Sequence, residues 1–110
     1  MTIECVPVGN KVVLRVSGRM DAESASQFEP ECESCIAKGF TTLVVDLGEV
    51  TYISSMGLRS FVAIAKKLKE TGGSLRVCRA SGLVRQVFEI TRLTQIFPLH
   101  ETVESALAEG

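Results

Sequence analysis

Residues 43–58 read Leu-Val-Val-Asp-Leu-Gly-Glu-Val-Thr-Tyr-Ile-Ser-Ser-Met-Gly-Leu. The first five, Leu43 to Leu47, form an almost wholly apolar run, the pattern of a central strand covered on both faces. A loop is expected over Gly48 to Ile53. A helix begins near Ser55, with Leu58, Phe61, Val62, Ala65 and Leu68 returning at helical spacing on one face. Arg59, Lys66, Lys67 and Lys69 fall on the other face, and Gly72-Gly73 ends the helix. Strand, loop and helix in that order form the unit from which parallel α/β sheets are built.

Working outward, the upstream segment reads as two strands, Ile3 to Val8 and Val12 to Val16, joined by the turn Gly9-Asn10. Gly18 is expected to close the second strand. Asp21 stands where a helix N-cap belongs, since its carboxylate can accept from free backbone N–H groups. Ala25, Phe28, Cys32, Cys35 and Ile36 then recur at helical spacing up to a stop at Gly39. Downstream, Leu75 to Cys78 is a further strand and Ser81 a second N-cap. Leu83, Val84, Val87 and Phe88 line a third helix, Ile96 and Phe97 form a short strand, and a terminal helix starts at Thr102. The order β-β-α-β-α-β-α-β-α implies right-handed crossovers, a mostly parallel sheet with an antiparallel N-terminal hairpin, and about four helices. With 110 residues, the chain is expected to form one domain over 1–110 with one core.

Composition narrows the function. The apolar share is 45% and the charged share 23%, an ordinary globular balance. Twelve basic against thirteen acidic residues give a net charge of -1, without the basic excess that direct nucleic-acid binding needs. Met1 to Val8 lacks the charged-then-apolar pattern of an export signal, and runs such as Val12 to Leu14 are too short to span a bilayer. The expectation is a cytoplasmic protein with no membrane insertion. Cys5, Cys32, Cys35 and Cys78 are then expected to be free thiols.

In an open α/β sheet, function gathers at the carboxyl ends of the strands. That edge collects Asp21, the 48–55 segment and Ser81. Two adjacent hydroxyls open the second helix, and Gly57 permits close backbone approach. A serine at this position is either a cap or a phosphorylation site, where free N–H groups and the positive end of the helix dipole suit a dianion. Residue type alone favours the cap. No catalytic residue is assigned: Gly-x-Ser-x-Gly is absent, and the single histidine, His100, reads as a surface or strand-end residue. Cys32-x-x-Cys35 falls late in the first helix, away from the helix N-terminus that would activate a thiol. Zinc spacing and Walker-type glycine loops are also missing, so neither metal nor cofactor is expected.

The segments Val44-Val45-Asp46-Leu47 and Val50 to Leu58 resemble the signature of STAS domains, the sulphate-transporter and anti-sigma-factor-antagonist family. Gly18-Arg19-Met20-Asp21 is similar to that family's Gly-x-hydrophobic-Asp. Gly82 to Leu93 resembles its third helix, and Ile96 to Leu107 its usual ending. The resemblance implies a stand-alone anti-sigma-factor antagonist in a partner-switching cycle. An anti-sigma factor with serine-kinase activity would phosphorylate Ser55, with Ser54 the second candidate, and a serine phosphatase would reverse it. Ser54 stands where the family has aspartate, and Met56 where it has a small residue. The partner surface implied is Asp21, Tyr52, Ile53, Ser54, Ser55, Met56, Gly57, Leu58 and Arg59. An accessory or ligand-binding module of a membrane transporter is the alternative, and it calls for a pocket under residues 48–55.

Overall fold

Apolar residues occupy both sides of the central strands, and the chain meets that demand with helices on each face. The computed structural model describes residues Met1–Ala108. Strand β1 (Thr2–Val8) pairs antiparallel with β2 (Lys11–Met20) across the Gly9-Asn10 turn. Helix α1 (Ala22–Ala37) leads to β3 (Thr42–Ile53), helix α2 (Ser55–Glu70) to β4 (Ser74–Cys78). Helix α3 (Gly82–Ile90), a 3-10 turn (Leu93–Gln95), β5 (Leu99–His100) and α4 (Val103–Ala108) follow. The sheet order is β1-β2-β3-β4-β5, and every pairing after the first is parallel.

A sheet that grows in one direction by right-handed crossovers places every crossover helix on the same face. Accordingly Phe28 and Cys32 of α1, Phe61 and Ile64 of α2 and Phe88 of α3 share one core with Leu14, Leu43, Val45, Leu47 and Val77. Val13, Val44 and Cys78 point the other way, onto Ala106 of α4. Phe61 is the hub of the larger core. Its ring lies 4.9 Å from Phe28, 5.5 Å from Phe88 and 6.0 Å from Phe97. Lys67 on α2 also pairs with Glu33 on α1.

Four expectations from sequence are corrected. Gly18 does not end β2. It lies within the strand at φ +98°, next to a register shift, and pairing with β3 resumes through Arg19↔Tyr52 and Met20↔Ile53. For that reason Gly48 to Ile53 is strand rather than loop: the longer β2 supplies the hydrogen-bonding partner. Leu83 is 73% exposed and lines no core. The last strand is Leu99–His100, not Ile96 and Phe97; Phe97 is buried beside the 3-10 turn and Ile96 is exposed.

The short β5 has a chemical cause. The backbone N–H of Ser74 donates to the Thr41 carbonyl on the β3 side, and that of Arg79 donates to His100 on the β5 side. Backbone groups alternate sides along a strand, so Leu75, Val77 and Arg79 face β5. The register Val77↔Leu99 makes residue 98 the next donor, toward the Leu75 carbonyl. Residue 98 is proline and has no N–H to give. The ladder stops there.

Candidate functional site

Two helix N-termini meet where β2 and β3 end. Asp21 caps α1, accepting from the Ser24 N–H at 2.9 Å. That donated N–H holds the Asp21 carboxyl below the usual aspartate value of 3.8. Ser54 caps α2 in the same way, accepting from the Gly57 N–H at 3.2 Å. The Ser54 N–H donates to the Met20 carbonyl at 2.9 Å, tying the start of α2 to the residue preceding Asp21. Ser81 occupies the N-cap of α3, but its side chain accepts no capping bond.

Capping therefore falls to Ser54, and Ser55 is left as the first residue of α2. Its side chain is exposed, and its hydroxyl meets no hydrogen-bond partner among the described residues. Tyr52 and Met56 flank it at 40% and 45% exposure, large apolar groups held in solvent. The Arg19 guanidinium stacks on the Tyr52 ring at 4.3 Å. Arg59 is exposed one turn further along α2, and Leu58 is half-buried against the core.

Two of the nine expected surface residues lie inside. Ile53 is only 6% exposed and belongs to the core. Strand alternation explains this: Tyr52 faces outward, so its successor on β3 faces α2. Gly57 is buried too, and its missing side chain is what lets α2 approach the sheet. A Cβ there would sit 3.0 Å from Ile53 Cγ1 and 3.1 Å from Met20 Cγ. The glycine serves helix–strand packing rather than contact with a partner.

Sequence reading passed over one feature of this edge. Asp46, 3% exposed in the middle of an apolar run, accepts from the Gly48 N–H at 2.9 Å and from Arg79 Nη1 at 3.0 Å. Arg79 holds φ +62° and lays its guanidinium over Gly48, where a Cβ would fall 2.4 Å from Arg79 Cζ. An isolated carboxylate inside an apolar run was the available signal, since a buried charge needs a partner.

The remaining candidates lie apart from this edge. His100 sits on β5, its Nδ1 against Ser105 Oγ at 3.2 Å. Burial pushes the Cys32 and Cys35 thiols up and Cys78 up to about 12, the opposite of what redox chemistry wants. Cys5 departs from the others in being exposed. It too is pushed up, to about 11, chiefly by desolvation. Among the described residues no His, Cys, Asp and Glu group could hold a metal ion, and no helix is long and apolar enough to cross a membrane. A cleft of about 430 Å³ includes Glu49 together with Glu4, Arg15, Asp46 and Arg79, but none of residues 50–55 lines it.

The STAS domain family model matches residues 3–106. The chain belongs to the STAS domain family. The protein BtrV of Bordetella bronchiseptica, a candidate anti-sigma factor antagonist, is 36% identical over 92% of this chain and 87% of its own length. The anti-sigma-B factor antagonist of Bacillus subtilis is 31% identical over the same shares. Among solved structures, an anti-sigma factor antagonist from Mycobacterium paratuberculosis is 28% identical over 96% of this chain and 90% of its own, with a TM-score of 0.88. This STAS domain shares its fold with that solved antagonist over nearly its whole length.

Proposed function

We propose that this STAS domain is an anti-sigma-factor antagonist: a cytoplasmic binding protein, not a catalyst, that captures an anti-sigma factor and is released by phosphorylation of Ser55. The relatives named as antagonists support the class of partner. The observation that carries the site is the division of labour between adjacent serines. Ser54 is committed to the cap, and the exposed Ser55 hydroxyl has no hydrogen-bond partner among the described residues. The docking face is Tyr52, Met56 and Leu58, flanked by Asp21, Ser54 and Arg59, with Ser55 at its centre.

The switch needs no refolding. An unmodified face offers apolar contact around one small hydroxyl. Phosphate adds up to about two negative charges and a strongly hydrated group in the middle of that contact. Burying such a dianion without a matched cation costs enough to release the partner. A partner with serine-kinase activity would write the mark, and a serine phosphatase would erase it.

Titrating the purified anti-sigma factor with wild type, Ser55→Ala, Ser55→Asp and Ser55→Glu tests this. Ser55→Ala is expected to bind as wild type does, and the acidic variants roughly 100-fold more weakly, about 2.7 kcal/mol. Equal affinities across the set would refute the switch.

A further inference from the structure

The uncovered edge of β4 opens into a cleft of about 590 Å³ between the second half of α2 and residues 95–98. We propose that this cleft is a docking site for an extended acidic-apolar segment of a partner protein, added as a strand beside β4. This goes beyond the Ser55 reading and is independent of it: Lys66 lies about 16 Å along α2 from Ser55.

Three observations converge on it. Pro98 ends the β5 ladder, so the Leu75 N–H and C=O face the cleft with no partner among the described residues. An incoming strand offers one donor and one acceptor in the right register. The walls are apolar, formed by Val62 and the 56%-exposed Ile96, and suit the alternate side chains of such a strand. The charge is of one sign. Lys66 and Lys69 stand on the rim, and among the described residues no carboxylate lines the cleft. Arg76 adds no charge to it: its side chain turns to the α4 face of the sheet, where Nη1 donates to the Ala106 carbonyl at 2.7 Å. Complementarity therefore selects a segment carrying Asp or Glu between apolar residues.

The probe is an end-blocked alternating Glu-Leu octapeptide, with the Lys-Leu octapeptide as control, followed by amide NMR on the full chain. The Glu-Leu peptide is expected to shift Leu75, Lys66 and Ile96 saturably and to slow exchange of the Leu75 amide about tenfold. Lys66→Glu with Lys69→Glu should weaken binding by about tenfold or more, since both side chains are exposed and their reversal spares the core. Pro98→Ala restores a donor for the Leu75 carbonyl, extends β5 and should also reduce binding. Absence of saturable shifts, equal shifts with the Lys-Leu peptide, or shifts away from β4 would overturn the proposal. So would Leu75 protection that rises with protein concentration alone, which would make the occupant a second copy.

Discussion

Gly48→Ala should cost stability only as long as Arg79 is present. The new Cβ lands 2.4 Å from Arg79 Cζ and 2.7 Å from its Nη2, a separation no real contact tolerates. The obstacle is the end of a flexible side chain, so steric strain is not the main cost. The guanidinium swings away instead and leaves Asp46, which then keeps only the Gly48 N–H. Asp46 is 3% exposed at its side chain but Arg79 is 45% exposed, which places the pair between surface and buried classes. Its loss is worth about 1–2 kcal/mol, near 4 °C in Tm for each kcal/mol at this chain length. Arg79→Ala removes the same pair, so the double variant should cost little more than Arg79→Ala alone. The coupling is then as large as the cost of Gly48→Ala itself. Arg79→Gly should be about 1 kcal/mol more stable than Arg79→Ala, because φ +62° is strained for any residue with a Cβ. Urea unfolding of the four-member cycle measures each term. Additive costs for Gly48→Ala and Arg79→Ala would refute the reasoning.

Three further outcomes are expected. Ser54→Ala should destabilise by about 1 kcal/mol through loss of the α2 cap, whereas Ser54→Asp, an equally good cap, should not; thermal melts compare them. Asp21 has a depressed pKa in the folded state, so its contribution is present above the usual aspartate value of 3.8 and is lost as pH falls through the folded value. An acid titration of stability should flatten there in Asp21→Asn. Iodoacetamide should alkylate Cys5 alone in the native protein. Its rate should rise about tenfold per pH unit toward the Cys5 pKa of about 11, while Cys32 and Cys78 react only after unfolding.

What the sequence made legible follows from how local each signal is. Helix α2 announces itself because Leu58, Phe61 and Leu68 repeat at the period of its buried face, and Asp21 is readable as a cap from its neighbours alone. The strand over residues 48–53 was not, because Gly48 and Glu49 interrupt the apolar run that ends at Leu47 and read as a turn; pairing with the extension of β2 carries the strand through them. Likewise Ile53 and Tyr52 are both large and apolar, and nothing within the segment says which of them faces the core. That depends on where α2 crosses the sheet. Arg79 could not be paired with Asp46 from sequence, since 33 residues separate them and only the parallel register Asp46↔Cys78 brings them together. The serines fall between these cases. The sequence identified a helix start with two hydroxyls, and backbone geometry divided their roles.

That division separates the switch from simple damage. If acidic substitution at Ser55 abolished binding by disturbing the fold, stability and affinity would fall together. The structure requires the opposite. The first turn of α2 carries no acidic residue, and the Ser55 side chain makes no hydrogen bond among the described residues. A negative charge there meets the positive end of the helix dipole and free backbone N–H groups, which stabilise it by about 0.3–1 kcal/mol. Ser55→Asp and Ser55→Glu should therefore melt at or above the wild-type temperature at low ionic strength, with the gain shrinking as salt screens it. Their affinity for the anti-sigma factor should drop in the same buffers. A fall in melting temperature that tracks the loss of binding would mean that Ser55 is part of the framework and not a message carried on it.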